Sequence, residues 1–377
     1  MALNQAVTSG FSASLHGLRG LAALAVVLFH WYQIFPALSR QIEPLFPEGS
    51  VLNPVSYFGF GWLGVPLFFV LSGYLLGSKV IDQRLNRGFI TRFWRRRLLR
   101  IYPAVWFHLL VLLALAPHIA GLVKPEMWDS LGLQFLLWIN MPPQMQAPIS
   151  NVLWTLPIEL SFYLLLPFLG AISRRVHWVV VLVGALFITL GWRAYWLLSQ
   201  DLNNYVVLLP YLDMLPGTLF TFMVGYSLNF LHPIASPLVR RTCLILSFTG
   251  FIALLQWQLL FNEVYWTGHW ILAVWPPCVA LTIAAIVYLI DQPSMPVRWL
   301  GHPIMVWLGN ISFGVYLWHY PIMRAMKLSA PDLWVSPLLS FVALPAALLL
   351  ALPIATLSYR FIERPLMGWR NAPEQSL

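Results

Sequence analysis

The amino-acid sequence predicts an all-α fold, a polytopic membrane helix bundle of about ten transmembrane helices with N- and C-termini both on the cytoplasmic side. Three observations predict it. Of 377 residues, 59% are hydrophobic and 9% charged, with mean hydropathy +0.74, far from the roughly one-quarter charged composition of soluble domains. Apolar stretches recur at about the 20-residue length that a hydrocarbon core of about 30 Å requires, whereas a barrel would show shorter alternating strands. Lys and Arg number 22 against 13 Asp and Glu, a formal net charge of +9. That excess follows one set of loops rather than forming a nucleic-acid surface.

The first span, 17–36, has no Lys or Arg before it in residues 1–15, and its apolar run ends at Phe29-His30-Trp31 rather than at small residues. It therefore reads as a retained signal anchor. The second, 57–77, interleaves Gly61, Gly64 and Gly73 with aromatics, a pattern that suits close helix packing. The third, 101–121, leads out of the densest basic run, Arg92 to Arg100. The connection after it, 122–151, is the longest. Its apolar piece Leu131 to Ile139 is too short to cross, which predicts a re-entrant or interfacial fold-back. Seven further spans follow at 152–172, 177–198, 211–231, 242–261, 269–290, 303–323 and 336–359, with a short cytoplasmic tail at about 360–377. Trp178, Trp192, Trp196, Trp266, Trp270, Trp299 and Trp334 fall at span ends, where amphipathic rings sit at headgroup level.

With the N-terminus inside, sixteen basic residues fall on the cytoplasmic side: Lys79, Arg84, Arg87, Arg92, Arg95, Arg96, Arg97, Arg100, Arg174, Arg175, Arg240, Arg241, Arg298, Arg360, Arg364 and Arg370. Arg40, Lys124, Arg193, Arg324 and Lys327 fall outside, together with Glu43, Glu48, Glu126, Asp129, Asp201, Glu263 and Asp332. This asymmetry sets the orientation. Cys243 and Cys278 lie far apart in apolar runs and make neither a disulfide framework nor a metal knuckle. No internal repeat of the inverted-transporter kind is visible, so residues 1–377 read as a single integral membrane domain.

Ionisable groups are expensive in hydrocarbon, so the few within spans are the candidates for function. Arg19 and His30 are eleven residues apart, three turns plus about 20°, and so share one face of the first helix about 16 Å apart. One lies at the cytoplasmic mouth and the other about two-thirds of the way across. Glu159, seven residues into the fourth span, reaches nearly the depth of His30, so the two could act as a base and its orienting carboxylate. Packing roles are the alternative for both. His108, His118 and His319 have no metal-ligand spacing, and no metal is expected. Arg97 and Arg100, at i and i+3, project to one side and could complete with Arg19 a basic cup for phosphates, while Arg92, Arg95 and Arg96 also fit a simple positive-inside anchor. Ser72-Gly73 either packs a neighbouring helix or clears space for an extended ligand.

In this order, the segments resemble the acyltransferase 3 family of bacterial integral membrane acyltransferases. Leu18-Arg19-Gly20 through Phe29-His30 is similar to that family's R-x10-H helix, and Phe68-Phe69-Val70-Leu71-Ser72-Gly73-Tyr74 to its FFxLSGF segment. Arg97-Leu98-Leu99-Arg100-Ile101-Tyr102-Pro103 resembles RxxR-IxP, Trp154 to Glu159 resembles WSLxxE, Ile311 to Pro321 resembles SYxxYLxHxP, and Glu363-Arg364-Pro365 resembles the terminal ERP. Departures are Pro66 in place of an Asp, Thr155 in place of a Ser, and no evident Arg or Glu ahead of the turn near Asp213 to Gly225.

The resemblance implies a member without the fused esterase-like domain. It would be a multi-pass protein of the bacterial inner membrane, moving an acyl group, by preference acetyl, from cytoplasmic acyl-CoA to a hydroxyl of a glycan, lipid-linked sugar or similar acceptor. It implies His30 and Glu159 as catalytic, Arg19, Arg97, Arg100, Ser72 and Tyr74 as binding the acyl-CoA cofactor, and His319 and Trp154 as substrate-binding. His30 is expected to act as a general base, with an acyl-His intermediate as the other possible route. The rival readings are a secondary transporter for a small anionic or polar solute and a non-catalytic scaffold. The missing repeat weighs against the first and the buried ionisable groups against the second.

Overall fold

The computed structural model describes residues 12–46, 50, 52–143, 145–199, 208–265, 269–293, 295 and 297–368; Glu48, Asp201, Trp266 and Arg370 lie outside them. Among the described residues every regular element is helical. Each expected span falls on a helix. These are α1 (Ala13–Ile34), α2 (Gly64–Gly77), α3 (Arg87–Leu115), α4 (Thr155–Ile172), α5 (Trp178–Ser199), α6 (Leu215–Ser227), α7 (Pro237–Leu260), α8 (Ile271–Ile290), α9 (Pro303–Ser329) and α10 (Pro337–Ser358).

Among the described residues eight helical stretches are long and apolar enough to cross a membrane. The expected sixth and ninth spans are not among them. α6 has only 13 residues, about 20 Å. α9 has 27 residues, about 40 Å, but Asn310, Ser312, His319, Arg324 and Lys327 lower its hydropathy. α3 begins well before the expected residue 101. The Asn86 side chain accepts from the Phe89 amide at 2.8 Å and caps it, so the basic run is itself helical.

The connection after α3 folds back, as its length predicts. A short helix, Leu131–Phe135, ends against the middle of α3, where Tyr102 Oη donates to the Leu136 carbonyl and Trp106 Nε1 to the Phe135 carbonyl, both at 2.9 Å. Fully buried Gln134 pins its far end, donating to the Ala147 carbonyl at 2.8 Å and accepting from the Ile149 amide at 3.0 Å.

α1 packs along α9 and against α2, and α2 packs against α6. The last contact brings backbones together. A Cβ on Gly73 would sit 1.9 Å from the Phe222 carbonyl oxygen, and one on Gly225 would sit 2.0 Å from that of Val70. Gly73 therefore serves helix packing, and the alternative of clearing space for a ligand does not apply to it. Beside this contact Phe222 stacks between Phe69 and Phe162, at centroid distances of 4.4 and 4.2 Å, which joins α6 to α2 and α4. α5 and α7 stand at the periphery with Phe187, Ile188, Ile245 and Leu246 exposed, as lipid-facing helices require.

Arg193, expected on the outer side, is buried in the bundle, donating to Asp213 at 2.6 Å and to the carbonyls of Gly217 and Leu272 at 2.8 and 2.9 Å. Its planar fork ties α5 to α6 and α8.

Gly73→Val should prevent close approach of α2 and α6, leaving little monodisperse protein on size-exclusion chromatography in detergent. Gly191→Ala, where nothing lies within 4 Å of the added carbon, should elute and melt like wild type.

Candidate active site

A cavity of about 80 Å³ lies between α1, α2, α3, α4 and α9. Along α2 its wall runs from Val65 to Leu76, about 16 Å at helical rise. Arg19 of α1, Arg100 of α3 and Tyr163 of α4 line one end. Phe68, Thr155 and Tyr316 line the other. The helix ends explain the charge placement: the basic run ends as α3 turns apolar, and α1 brings Arg19 in from its first two turns.

Glu159 also lines this cavity, accepting from Ser72 Oγ at 3.0 Å and from Tyr163 Oη. Two donors from two helices hold the carboxylate on the Arg19 and Arg100 side, and among the described residues no hydrogen bond joins it to His30. The expected pairing of Glu159 with His30 is thus replaced. Equal depth along two helices does not put side chains on facing sides.

His30 instead meets His319. Its Nδ1 lies 3.1 Å from the Val26 carbonyl and 3.0 Å from His319 Nε2, while His319 Nδ1 lies 2.8 Å from the Val315 carbonyl. Both rings are buried, and Tyr320 stands edge-on to His30 at 4.9 Å. Tyr316, one helical turn before His319, lines the cavity, and its ring centroid lies 6.1 Å from that of His319. Tyr316 Oη bonds the Val152 carbonyl at 2.8 Å and Thr155 Oγ1 at 2.9 Å, and its ring meets Phe68 edge-on at 6.2 Å. This lock seats Tyr316 in the cavity wall at the end away from Arg19.

Of the other expected donor contacts, Arg97 stands behind the cavity wall with its guanidinium over the Phe93 and Tyr163 rings, at 5.8 and 5.9 Å. Tyr74 does not reach the cavity. Two residues beyond Ser72, it turns to the opposite side of α2 and donates to Asp291 at 2.7 Å. Trp154 is half-buried, packing against the core beside Thr155 and not lining the cavity.

A family profile described as an acyltransferase domain, acyltransferase 3, matches residues 12–360. The chain belongs to the acyltransferase 3 family. It is 26% identical over 385 residues to the peptidoglycan O-acetyltransferase OatA of Listeria monocytogenes, an alignment covering 94% of this chain and 55% of that protein. It is 25% identical over 399 residues to the putative O-acetyltransferase SAR0937 of Staphylococcus aureus, covering 96% and 59%. The O-acetyltransferase OatA of S. aureus is 24% identical over 387 residues, covering 93% and 56%. The chain thus spans somewhat over half the length of these relatives. No solved structure matches it.

Three features of this acyltransferase 3 chain escaped sequence reasoning. Thr155 with Tyr316 and Arg193 with Asp213 are pairs whose members lie far apart in sequence, 161 and 20 residues. The third is Glu363 of the ERP segment, a buried carboxylate accepting from Ser358 Oγ at 3.4 Å. A carboxylate directly after an apolar helix was its available signal. Among the described residues no group of three or more His, Cys, Asp or Glu is arranged to hold a metal.

Tyr316→Phe removes one donor to Val152 and should cost about 1 kcal/mol, the usual net value of such a bond. Thr155→Val should cost a similar amount. Because each variant breaks the same Thr155–Tyr316 contact, thermal melts in detergent should show the double variant less destabilised than the sum of the two.

Proposed function

We propose that this chain is a membrane O-acyltransferase that takes an acyl group, acetyl by preference, from acyl-CoA on the cytoplasmic side and delivers it to a hydroxyl of a glycan or lipid-linked sugar on the outer side of a bacterial inner membrane. The observation that carries the reading is the arrangement around the cavity. Two guanidiniums, Arg19 of α1 and Arg100 of α3, line one end, and the other end is lined by Tyr316, one turn before the His319 that meets His30. The names of the relatives support an acetyl group and a glycan acceptor.

Arg19 and Arg100 bind the donor's phosphates, for which guanidinium geometry is suited, and Arg97 adds positive charge from behind the Tyr163 ring. The basic-residue asymmetry of the sequence supports an N-in, C-in orientation, with this end on the cytoplasmic side. Ser72 lies on the wall along which the thioester arm passes. With only about 80 Å³ between the helices, the arm enters as the walls part. The thioester reaches His30 once Tyr316 and Phe68 swing aside. The acceptor hydroxyl oxygen then attacks the thioester carbonyl, His30 takes the hydroxyl proton, the carbon–sulfur bond breaks, and the proton passes to the leaving thiolate. Ester and free thiol are the products, and His30 ends as it began. Trp154 and the segment folded back on α3 lie toward the outer side, where the acceptor approaches.

His30→Ala should lower transfer by at least about 10²-fold, the lower range for general-base catalysis, at unchanged expression and CoA binding. Free-thiol release by the purified chain checks this and also separates transfer from secondary transport, which releases none. Activity within a few-fold of wild type would remove His30 from the chemistry. Arg19→Ala and Arg100→Ala should instead raise KM for acyl-CoA more than they lower kcat, because phosphate contacts are equal in ground and transition states.

For orientation, Lys124→Cys and Asp332→Cys should react with membrane-impermeant thiol reagents added to the outer side, and Arg87→Cys should not. All three positions are exposed on the protein. Labelling of Arg87→Cys from outside would invert the topology and move the basic end away from cytoplasmic CoA.

A further inference from the structure

We propose that His319 is the positioning residue of the transfer, a neutral imidazole that receives the Nδ1–H of His30 and so leaves the His30 Nε2 lone pair free as the base. This rests on the reading of His30 as base.

The hydrogen-bond directions follow from the acceptors. A backbone carbonyl can only accept, so His319 Nδ1, 2.8 Å from the Val315 carbonyl, carries the proton. The Nε2 of a neutral His319 is then a bare acceptor. His30 Nδ1 faces the Val26 carbonyl at 3.1 Å and that same Nε2 at 3.0 Å, so it carries a proton directed between two acceptors. Only Nε2 of His30 is left with a lone pair. The carbonyls sit four residues before each ring in the rings' own helices, α1 and α9, so helix geometry supplies both anchors.

When Nε2 takes the acceptor's proton, His30 becomes an imidazolium whose Nδ1–H strengthens its bond to His319. Positive charge is then spread over two rings in a place where water cannot solvate it. As the thiolate takes the Nε2 proton, both rings return to their starting forms, and no proton is gained or lost. A carboxylate often fills the partner's place in soluble active sites, but the nearby Glu159 is engaged by Ser72 and Tyr163. A neutral partner also avoids desolvating a permanent negative charge at that depth.

The test uses native membranes carrying the full chain and radiolabelled acetyl-CoA, with alkali-labile label as the readout. His319→Leu should lower kcat by about 10²-fold with KM for acetyl-CoA within about 2-fold, since only the transition state carries the added charge. His319→Gln, whose Oε1 can accept from His30 Nδ1, should stay within about 10-fold of wild type. The double variant His30→Ala/His319→Leu should be no slower than His30→Ala, because two residues acting as one unit are not additive. Equal losses in His319→Leu and His319→Gln, additive losses in the double variant, or a His319→Leu rate close to wild type would each overturn the inference. Two other outcomes bear on the proposed function: absence of label with wild type would overturn it, and normal label with His30→Ala would remove the base.

Discussion

Hydrocarbon offers no water to a polar side chain, so each one inside the bundle needs a partner made of protein, and those partnerships tie the helices together. Arg193 holds α5 against α6 and α8 through one carboxylate and two carbonyls. Glu159 draws Ser72 and Tyr163 to one oxygen and so joins α2 to α4. Tyr316 locks α9 to the turn before α4, and His30 meets His319 across α1 and α9. Backbone contact at Gly73 and Gly225 then needs only the absence of side chains.

These partnerships divide the interior into two regions of different electrostatic character. Around Arg19 and Arg100 the cavity holds fixed charge, with a carboxylate close by to offset it. Past Tyr316 on α9, the polar groups against His30 are the imidazole of His319 and the ring of Tyr320. Charge near an aqueous mouth is cheap to keep, whereas charge deeper in the bundle is costly, so a group that becomes charged only briefly suits the deeper position. His108 belongs to the same deep region. It is fully buried against Trp318 at 4.8 Å, and neither ring nitrogen has a hydrogen-bond partner among the described residues.

The lock also relates stability to the proposed chemistry. The hydrogen bonds that seat Tyr316 tie α9 to the start of α4, and the same side chain lines the cavity and must move on the proposed path to His30. Bonds worth about 1 kcal/mol each favour the seated Tyr316, while the binding energy of the proposed donor could offset their loss.

What the sequence by itself determined is the set of helices and the short roster of ionisable residues within them, because both depend on local properties. Apolar length at 1.5 Å per residue shows where helices can span. The scarcity of ionisable groups in those stretches singles out Arg19, His30 and Glu159. Local signals failed where capping or composition shifted an element, as when Asn86 starts α3 early and the polar residues of α9 take it out of the spanning set. Only the tertiary structure decided which groups face one another. Depth along a helix can be counted from sequence, but the rotation and neighbours of each helix are set by packing across the bundle. Two consequences follow: Glu159 joined Ser72 and Tyr163 instead of His30, and Tyr74 turned to Asp291 while Ser72 reached the cavity. The 3.0 Å contact between His30 and His319 spans 289 residues of chain, a separation over which helical periodicity carries no information.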